Sequence, residues 1–280
     1  MKRLKKAACI TGWLILGLIL MAVLGIGILT ITEYKPEAVE YVEITGDGAR
    51  SLSEGDSFTV MTWNLGYGCL GENADFFMDG GQQVSTATEE EMKANLENIC
   101  SRTLAIHPDI MLFQEVDSCA KRSHYCNQWE YLQQQFPQMD GCFAYNYKTL
   151  YVPYPWPPIG RVEAGIATLS NYAVDEARRI ALPCPFPYPV RLSNLKRCLL
   201  VTRIPVEGCD KELVVVNLHL EAYDSGEGKI AQTNMLKEIL QAEIQKGNYV
   251  IAAGDFNQCF SNSDSAAYPC VNENNWMPGD

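Results

Sequence analysis

The sequence predicts an α/β (α+β) fold in which short strands and intervening helices pack as a sandwich. Apolar runs of strand length end at turn residues at several points after residue 56, and amphipathic helix patterns separate these runs. The hydrophobic fraction of 47%, with 10% aromatic residues, is ample for a packed core. We therefore predict that residues 57–280 form one globular domain.

The amino-terminal residues predict a transmembrane helix. Residues 1–6 carry four basic side chains, and residues 7–31 contain no charged residue. This stretch is long enough to span a bilayer and too long for an ordinary signal-peptide core. We favour an uncleaved anchor over a removed signal sequence, and small residues such as Ala22 leave cleavage open. The basic end is predicted to stay cytoplasmic, so that a single-pass cell-membrane protein holds its globular domain outside.

The charge of the predicted external part disfavours nucleic acid as a partner. Without the four basic residues of the amino end, 18 Lys and Arg residues stand against 34 Asp and Glu residues, a net charge of −16. Such a surface repels polyanions unless cations mediate the contact. It suits a site that requires a cation better than a nucleic-acid clamp, and the pattern indicates no protein partner.

The cysteine pattern leaves the redox state open. Ten of the 11 cysteines lie outside the predicted anchor, an even count that permits disulfides in an exported domain. No C-x-x-C pair occurs, which disfavours a structural zinc site. Cys119 and Cys126 could pair across a loop, and buried free thiols are an equal alternative.

The first strands of the domain end in polar residues. Residues 32–56 contain Pro36 and three glycines and are predicted to be a linker or a short lead-in to the domain. In "SFTVMTWNLGYG", alternation predicts a strand that ends at Asn64. A T-x-x-E spacing that begins at Thr88 predicts a capped helix. "DIMLFQEVD" then predicts an apolar strand that ends at Gln114 and Glu115.

The later strands have the same character. "EAGIATLSNY" predicts a strand with Glu163 at its entry, and "CLLVTRIPVEGCDKELVVVNLHL" predicts a hairpin whose second arm ends at His219. An amphipathic helix is predicted over residues 236–244. "VIAAGDFNQ" predicts a buried strand whose exit carries Asp255 and Asn257.

These strand exits predict one polar cluster that binds a metal ion. Because ligands of α/β folds gather beyond the carboxyl ends of strands, we expect these side chains to meet: Asn64, Glu115, His219, Asp255 and Asn257. Glu115 and Asp255 offer hard oxygen ligands that suit Mg²⁺ or Mn²⁺ rather than zinc. A histidine beside them can donate a hydrogen bond to a phosphate oxygen or protonate a leaving group. The set matches metal-assisted hydrolysis of a phosphoester.

Taken one at a time, such residues have simpler structural explanations. Asn64 can start a turn, and Asp255 with Asn257 can form an Asx turn. His107 is predicted to cap a helix end and His124 to lie in a surface loop. Only the ordered set of motifs raises the strand-exit residues to candidate site residues.

Two proline- and aromatic-rich stretches are predicted to form loops: "YVPYPWPP" (151–158) and "CPFPYPV" (184–190). We favour stiff extended loops packed on the domain, because proline runs are stiff and extended without any ligand. The alternative is that Trp156 and nearby tyrosines rim the substrate mouth or touch the outer leaflet, as interfacial aromatic residues do.

The motifs "TWN", "LFQEVD", "NLHL" and "GDFN", in that order, resemble the endonuclease/exonuclease/phosphatase superfamily, whose members are similar to pancreatic DNase I. The resemblance covers roughly residues 57–260, where the motifs and strand patterns fall. Each motif alone is weak, but the ordered set with intervening strand patterns is specific. It implies a DNase I-like four-layer sandwich, in which two packed β-sheets are flanked by helices.

The resemblance also implies a role for each site residue. Glu115 binds the divalent metal with Asn64 beside it, and His219 contacts the scissile phosphate. Asp255 and Asn257 orient the attacking water and the phosphate.

Three further positions bear on the resemblance. Glu163 resembles the acidic residue that buttresses the family histidine in DNase-like members. The family closes with a strand that ends in an Asp-His pair, whose histidine takes the proton from water, but His219 is the last histidine here. We favour a fragment that lacks the C-terminal strands over a catalytically crippled product, since a natural end here leaves strand edges unpaired. Asp117 stands where DNase-like members carry an arginine, which weakens the DNA interpretation.

The sequence thus predicts a membrane-anchored, extracytoplasmic, Mg²⁺-dependent hydrolase of a phosphodiester or phosphomonoester. A phospholipid head group fits the anchor and the aromatic loops, whereas nucleic acid fits the fold but not the charge. The alternative is a non-catalytic surface binding module that keeps the fold and lacks the catalytic base.

Overall fold

Two β-sheets pack face to face in the computed structural model, which describes residues 2–48, 50–224, 226–259, 262 and 264. Within these residues the strands are, in chain order, β1 (Val39–Tyr41), β2 (Ile44–Thr45), β3 (Leu52–Ser53), β4 (Val60–Asn64), β5 (Ile110–Asp117), β6 (Asp140–Val152), β7 (Gly160–Ser170), β8 (Glu176–Ala181), β9 (Cys198–Glu207), β10 (Glu212–His219) and β11 (Tyr249–Asp255). The α-helices are α1 (Lys2–Ile31), α2 (Glu89–Ile106), α3 (Gln128–Gln135) and α4 (Glu227–Gln245).

Each sheet has one pair of parallel strands at one end of its strand order. The smaller sheet has the order β2–β6–β7–β5–β4, and the larger has the order β1–β8–β9–β10–β11, with β3 also pairing with β9. β4 runs parallel to β5, and β10 runs parallel to β11. Because paired parallel strands end on the same side, each pair presents two carboxyl ends at one edge of its sheet.

The layers are held together by apolar side chains on both faces of the sheets. In β5, Leu112 faces the larger sheet and packs near Val215, while its neighbour Phe113 faces α2 and packs near Leu96. On the other side, Leu236 of α4 packs against the larger sheet. Burial on both faces explains the continuous apolar runs of the central strands. The predicted sandwich of two sheets flanked by helices is confirmed.

Local signals in the sequence place several elements correctly. The Thr88 hydroxyl accepts a hydrogen bond from the backbone N–H of Glu91, whose carboxylate accepts one from the backbone N–H of Thr88, so the predicted capping box starts α2. His107 ends the same helix in a left-handed conformation, as a C-cap residue. The antiparallel pairing of β9 and β10 confirms the predicted hairpin.

The structure differs from the linker predicted over residues 32–56. β1 pairs with β8, β2 with β6, and β3 with β9, so that this segment adds to both sheets. Each of these strands has only two or three residues. Such short strands carry too few residues for a visible alternation, and their partners lie about 100 to 150 residues away.

The two proline-rich loops are less packed than the sequence analysis favours. Trp156 is 89% exposed and Tyr154 is 73% exposed, so that these rings project from the domain. In the second loop, Phe186 lines a cavity of the domain while Tyr188 is exposed. The loops therefore present aromatic rings both to the interior and to the surroundings.

The long apolar helix at the amino end matches the predicted anchor in length and composition. Within the described residues, Lys5–Ile31 is a 27-residue stretch whose most apolar 18 residues have a mean hydropathy of 2.8, and it is long and apolar enough to cross a membrane, as a signal sequence also is. The ten cysteines that the structure describes are free thiols, and thus Cys119 and Cys126 do not pair.

Candidate active site

The strand exits predicted to converge do meet at one edge of the sandwich. His219 at the end of β10 stands beside Asp255 at the end of β11, and Asn64 at the end of β4 stands beside Gln114 of β5. Across the two sheets, the Asn64 Nδ2 donates a hydrogen bond of 2.8 Å to the Asp255 Oδ2. This bond joins residues 191 positions apart and closes the edge of the sandwich around a shared space.

The imidazole of His219 lies between the two carboxylates. Its Nε2 is 3.9 Å from the Glu115 Oε1 and 3.8 Å from the Asp255 Oδ2. The Asp255 carboxylate is held from its other side, because its Oδ1 accepts a 2.9 Å hydrogen bond from the backbone N–H of Asn257. The Asn257 side chain in turn donates to the Leu220 carbonyl oxygen at 2.8 Å. The predicted cluster is therefore one set of mutually oriented groups.

Glu115 reaches the cluster through an irregularity in β5. The register between β5 and β7 shifts between Phe113 and Val116, and Glu115 has a φ of 56°, in the left-handed region. A residue with a side chain adopts this conformation rarely, and β-bulges commonly re-aim a side chain beside an active site. The strained backbone directs the Glu115 carboxylate toward His219 instead of into the sheet.

Burial and neighbouring charges set the protonation of these groups. Burial raises the pKa of Glu115 to about 7, against the opposing effects of Arg122 and of a hydrogen bond from Asn64, and the nearby Asp255 raises it further. Burial also lowers the pKa of His219 well below its ordinary value, and Arg197 lowers it further. Near neutral pH the imidazole is therefore neutral, and it lies 3.8–3.9 Å from a carboxylate oxygen of each acidic residue.

The donor atoms fit a hard divalent cation. Glu115 and Asp255 supply carboxylate oxygens to the same space, on either side of the His219 imidazole. The Asn64 Oδ1 accepts a hydrogen bond from the Gly66 N–H, so that Asn64 orients the carboxylates rather than adding a third charge. No group of three or more His, Cys, Asp and Glu side chains placed to hold a metal occurs in the described part of the chain. Two carboxylates suit Mg²⁺, which usually keeps several waters, and not a structural zinc ion.

Glu163 lies elsewhere and has other partners. Its carboxylate accepts hydrogen bonds from Arg161 and lies 3.5 Å from the Lys148 Nζ, and no hydrogen bond or ion pair joins it to His219 within the described residues. The strand β7 begins at Gly160 rather than at Glu163, so Glu163 lies within the strand and pairs with Lys148 of β6. The structure does not bring the predicted buttress to the histidine.

Two arginines of the cavity wall were not predicted. Arg122 is buried in a bidentate pair with Asp117, at 2.8 and 3.1 Å, and its guanidinium lies 3.1 Å from the ring centre of Tyr67. Asp117 therefore does not present a bare carboxylate to a substrate, and its side chain instead holds a cation at the site. The argument from Asp117 against a polyanion does not hold at this position.

Arg197 is likewise a buried cation paired with a carboxylate, and it contacts the backbone of His219. Its Nη1 donates to the His219 carbonyl oxygen at 3.0 Å, and its Nε donates to the buried carboxylate of Glu221 at 3.1 Å. Deeper still, the Gln114 Nε2 donates to the Asn217 Oδ1 at 2.8 Å, which links the two sheets below the site. Gln114 and Asn217 both lie in the motifs quoted above. A polar residue inside an otherwise apolar strand pattern is the sequence signal that could have identified each of them.

These groups occupy one end of a cavity of about 520 Å³. The polar end contains Asn64, Glu115, His219 and Asp255. The remaining wall is largely apolar and comes from the loops after β4, β6 and β8, with the following side chains: Leu70, Phe76, Met78, Val84, Ile159, Phe186 and Leu195. The site therefore suits a ligand with a charged group attached to a less polar body.

The buried pair of Asp117 and Arg122 predicts a large loss of stability when it is broken. We expect Asp117→Ala to lower the free energy of unfolding by roughly 3–5 kcal/mol, because it leaves the Arg122 guanidinium buried without its partner. Urea unfolding of the full chain in detergent measures this change, with Asp210→Ala in the exposed β9–β10 turn as the matched control. A loss below about 1 kcal/mol, the range of an exposed pair, contradicts the structural role of the pair.

Comparison with known proteins agrees with this architecture. A family model described as "Endonuclease/Exonuclease/phosphatase family" matches residues 61–274. No curated protein sequence matches the chain.

Among solved structures, the chain is similar to an endonuclease/exonuclease/phosphatase from Beutenbergia cavernae DSM 12333, with 19% identity and a TM-score of 0.49 over 74% of this chain and 49% of that chain. It is similar to the human Nocturnin catalytic domain with a bound sulfate anion, with 19% identity and a TM-score of 0.48 over 80% and 68% of the two chains. It is also similar to ANGEL2, described as a 2′,3′-cyclic phosphatase, with 17% identity and a TM-score of 0.50 over 83% and 60%. The chain thus spans about half the length of the first of these structures.

Proposed function

Because this chain belongs to the endonuclease/exonuclease/phosphatase family, we propose that it hydrolyses a phosphodiester or phosphomonoester with the help of Mg²⁺ or Mn²⁺. Members of this family are phosphoesterases and nucleases and generally depend on a divalent metal. The observation that carries the proposal is that Glu115, His219 and Asp255, from three different strands, meet within one cavity.

Each side chain of the cluster has a task that its surroundings support. Glu115 and Asp255 would hold the cation, which when bound offsets charge on the phosphate and orients water. A neutral His219 donates a hydrogen bond to a non-bridging phosphate oxygen and so stabilises charge that develops there. Asp255, fixed by Asn64 and by the Asn257 backbone, accepts a hydrogen bond from the attacking water.

The proposal includes a membrane anchor and an extracytoplasmic domain. The length and hydropathy of Lys5–Ile31 support a single span of the cell membrane, and the basic residues before it support an amino end in the cytoplasm. The net charge of −16 on the rest of the chain favours a substrate with few phosphates over a nucleic acid. A phospholipid head group or another small phosphoester fits this balance and the apolar cavity wall.

A hydrolysis assay on the purified full chain in detergent tests the function. We expect bis-p-nitrophenyl phosphate or p-nitrophenyl phosphate to be cleaved when Mg²⁺ or Mn²⁺ is present, and the cleavage to stop when EDTA removes the ion. The preferred chromogenic ester distinguishes diesterase from monoesterase activity. If p-nitrophenol is released no faster than in buffer alone, with or without metal, the result supports a binding module that keeps the fold without catalysis.

A further inference from the structure

A second surface of the protein is exposed and apolar, and lies beside the end of α1. It consists of the following residues, each 44–53% exposed and together called the apolar rim: Leu150, Tyr151, Tyr188 and Val190. Hydrogen bonds join its two halves, since the Thr149 hydroxyl donates to the Leu192 carbonyl oxygen and the Ser193 hydroxyl donates to the Tyr151 carbonyl oxygen. The end of β6 and the loop before β9 therefore form one continuous surface.

α1 is attached directly to this rim. The Thr30 hydroxyl is 3.3 Å from the Tyr188 hydroxyl, and α1 contacts both β6 and the 3₁₀ turn Val190–Ser193. Two residues after the helix ends, the carboxylate of Glu33 is buried and pairs with Arg191 and Lys196, each at 3.2 Å. The connection is too short and too well anchored to let the domain move away from the end of α1.

This attachment determines where the rim lies if α1 spans a bilayer. The 27 residues of Lys5–Ile31 extend about 40 Å at about 1.5 Å per residue, which exceeds the ~30 Å hydrocarbon core. The end of α1 then reaches the head-group region, and Tyr188 lies at the same level. Tyrosine and aliphatic side chains exposed at this depth match the composition of membrane interfaces.

We propose that the apolar rim docks on the outer leaflet of the membrane that holds α1. The docking rests on the anchoring of α1 stated in the proposed function. It has a consequence for the active site, because Phe186, Asn194 and Leu195 line the cavity and belong to the same loop as Tyr188 and Val190. One side of this loop forms the cavity wall and the other side faces the bilayer, so that the cavity lies close to the lipid head groups.

Tryptophan reporters in the full chain test the docking without any need for turnover. The chain is reconstituted into phosphatidylcholine vesicles, some of which carry bromine in the upper part of the acyl chains as a contact quencher. Tyr188→Trp and Tyr151→Trp place reporters on the rim, near to and further from Thr30. Tyr249→Trp is the control, because Tyr249 is exposed and starts β11, about 20 Å along the strand from Asp255 at about 3.3 Å per residue.

We expect the emission added at positions 151 and 188 to be blue-shifted and to lose more than half its intensity in brominated vesicles, and the emission added at position 249 to keep its intensity. Quenching at position 188 alone would overturn the docking while leaving the anchor in place. Blue-shifted emission from the rim without quenching would overturn it in favour of a protein, such as a second copy, that covers the rim.

The anchor and the activity are measured separately from the docking. Resistance of the chain to extraction from vesicles by alkaline carbonate reports the anchoring of α1, and cleavage of a soluble chromogenic phosphoester reports the active site. An extractable chain overturns the docking together with the anchor. An inactive chain that shows the expected quenching supports the docking and contradicts only the hydrolase proposal.

Discussion

We expect Asp255→Asn to lower kcat/KM for a chromogenic phosphoester by about 10³-fold, the effect expected when a group that positions and activates water is lost. The substitution keeps the size of the side chain and an oxygen for the hydrogen bond from Asn64 or Asn257, but not for both. It also removes the negative charge that faces His219 at 3.8 Å. The folded structure is retained, so that the change appears in catalysis and not in the yield of protein.

A matched control and a second substitution in the site, with its own control, make this result specific. Asp210→Asn carries the same chemical change in the exposed β9–β10 turn, at the opposite end of β10 from His219, and is expected to keep the wild-type rate. His219→Ala is expected to reduce the rate by about 10²–10³-fold, because a hydrogen bond to the developing charge is lost. His124→Ala, on an exposed loop, is its control. A wild-type rate for Asp255→Asn would remove the central residue of the proposed site.

The convergence of the site could be predicted from the sequence because it follows from strand direction. Asn64, His219 and Asp255 end apolar runs, and parallel pairing brings such ends together at one edge of a sheet. The position of Glu115 at a strand exit was also predictable. Its left-handed conformation was not, because the bulge depends on the partner strand β7 and leaves no mark in a local apolar pattern.

Other parts of the fold and site depended on pairings that local patterns do not encode. Glu163 was predicted to support the histidine from the family resemblance, but β7 begins three residues earlier and pairs Glu163 with Lys148 of β6. Asp117 looked like an acidic substitution that repels a polyanion, and its partner Arg122 became visible only in the folded chain. Which charges face the substrate is decided by such pairings, and net charge alone does not reveal them.

The metal proposal predicts that the stability difference between the wild type and Glu115→Gln has opposite signs in the absence and in the presence of Mg²⁺. Burial raises the pKa of Glu115 to about 7 in the folded protein, so that the metal-free fold loses stability as the pH rises from the unfolded value of about 4.5 to about 7. Above this window the full penalty is present, up to about 3 kcal/mol at 1.36 kcal/mol per pKa unit. Glu115→Gln removes the charge and keeps the length of the side chain. We expect it to be more stable than the wild type at pH 8 in EDTA, and to gain little at pH 5.

Added Mg²⁺ should reverse this order, because only the wild type then has both carboxylates to bind the ion. A ligand at about 1,000 times its dissociation constant stabilises the folded state by about 4.1 kcal/mol, which exceeds the penalty of the buried charge. Thermal unfolding of the full chain in detergent, with and without Mg²⁺, measures both effects, and Glu238→Gln on the exposed face of α4 is the control. An equal rise in melting temperature for wild type and Glu115→Gln would place the ion elsewhere. A buried carboxylate that destabilises the metal-free fold, on a strained backbone that directs it into the cavity, is the arrangement expected of a residue that binds a cation and not of one that stabilises a sheet.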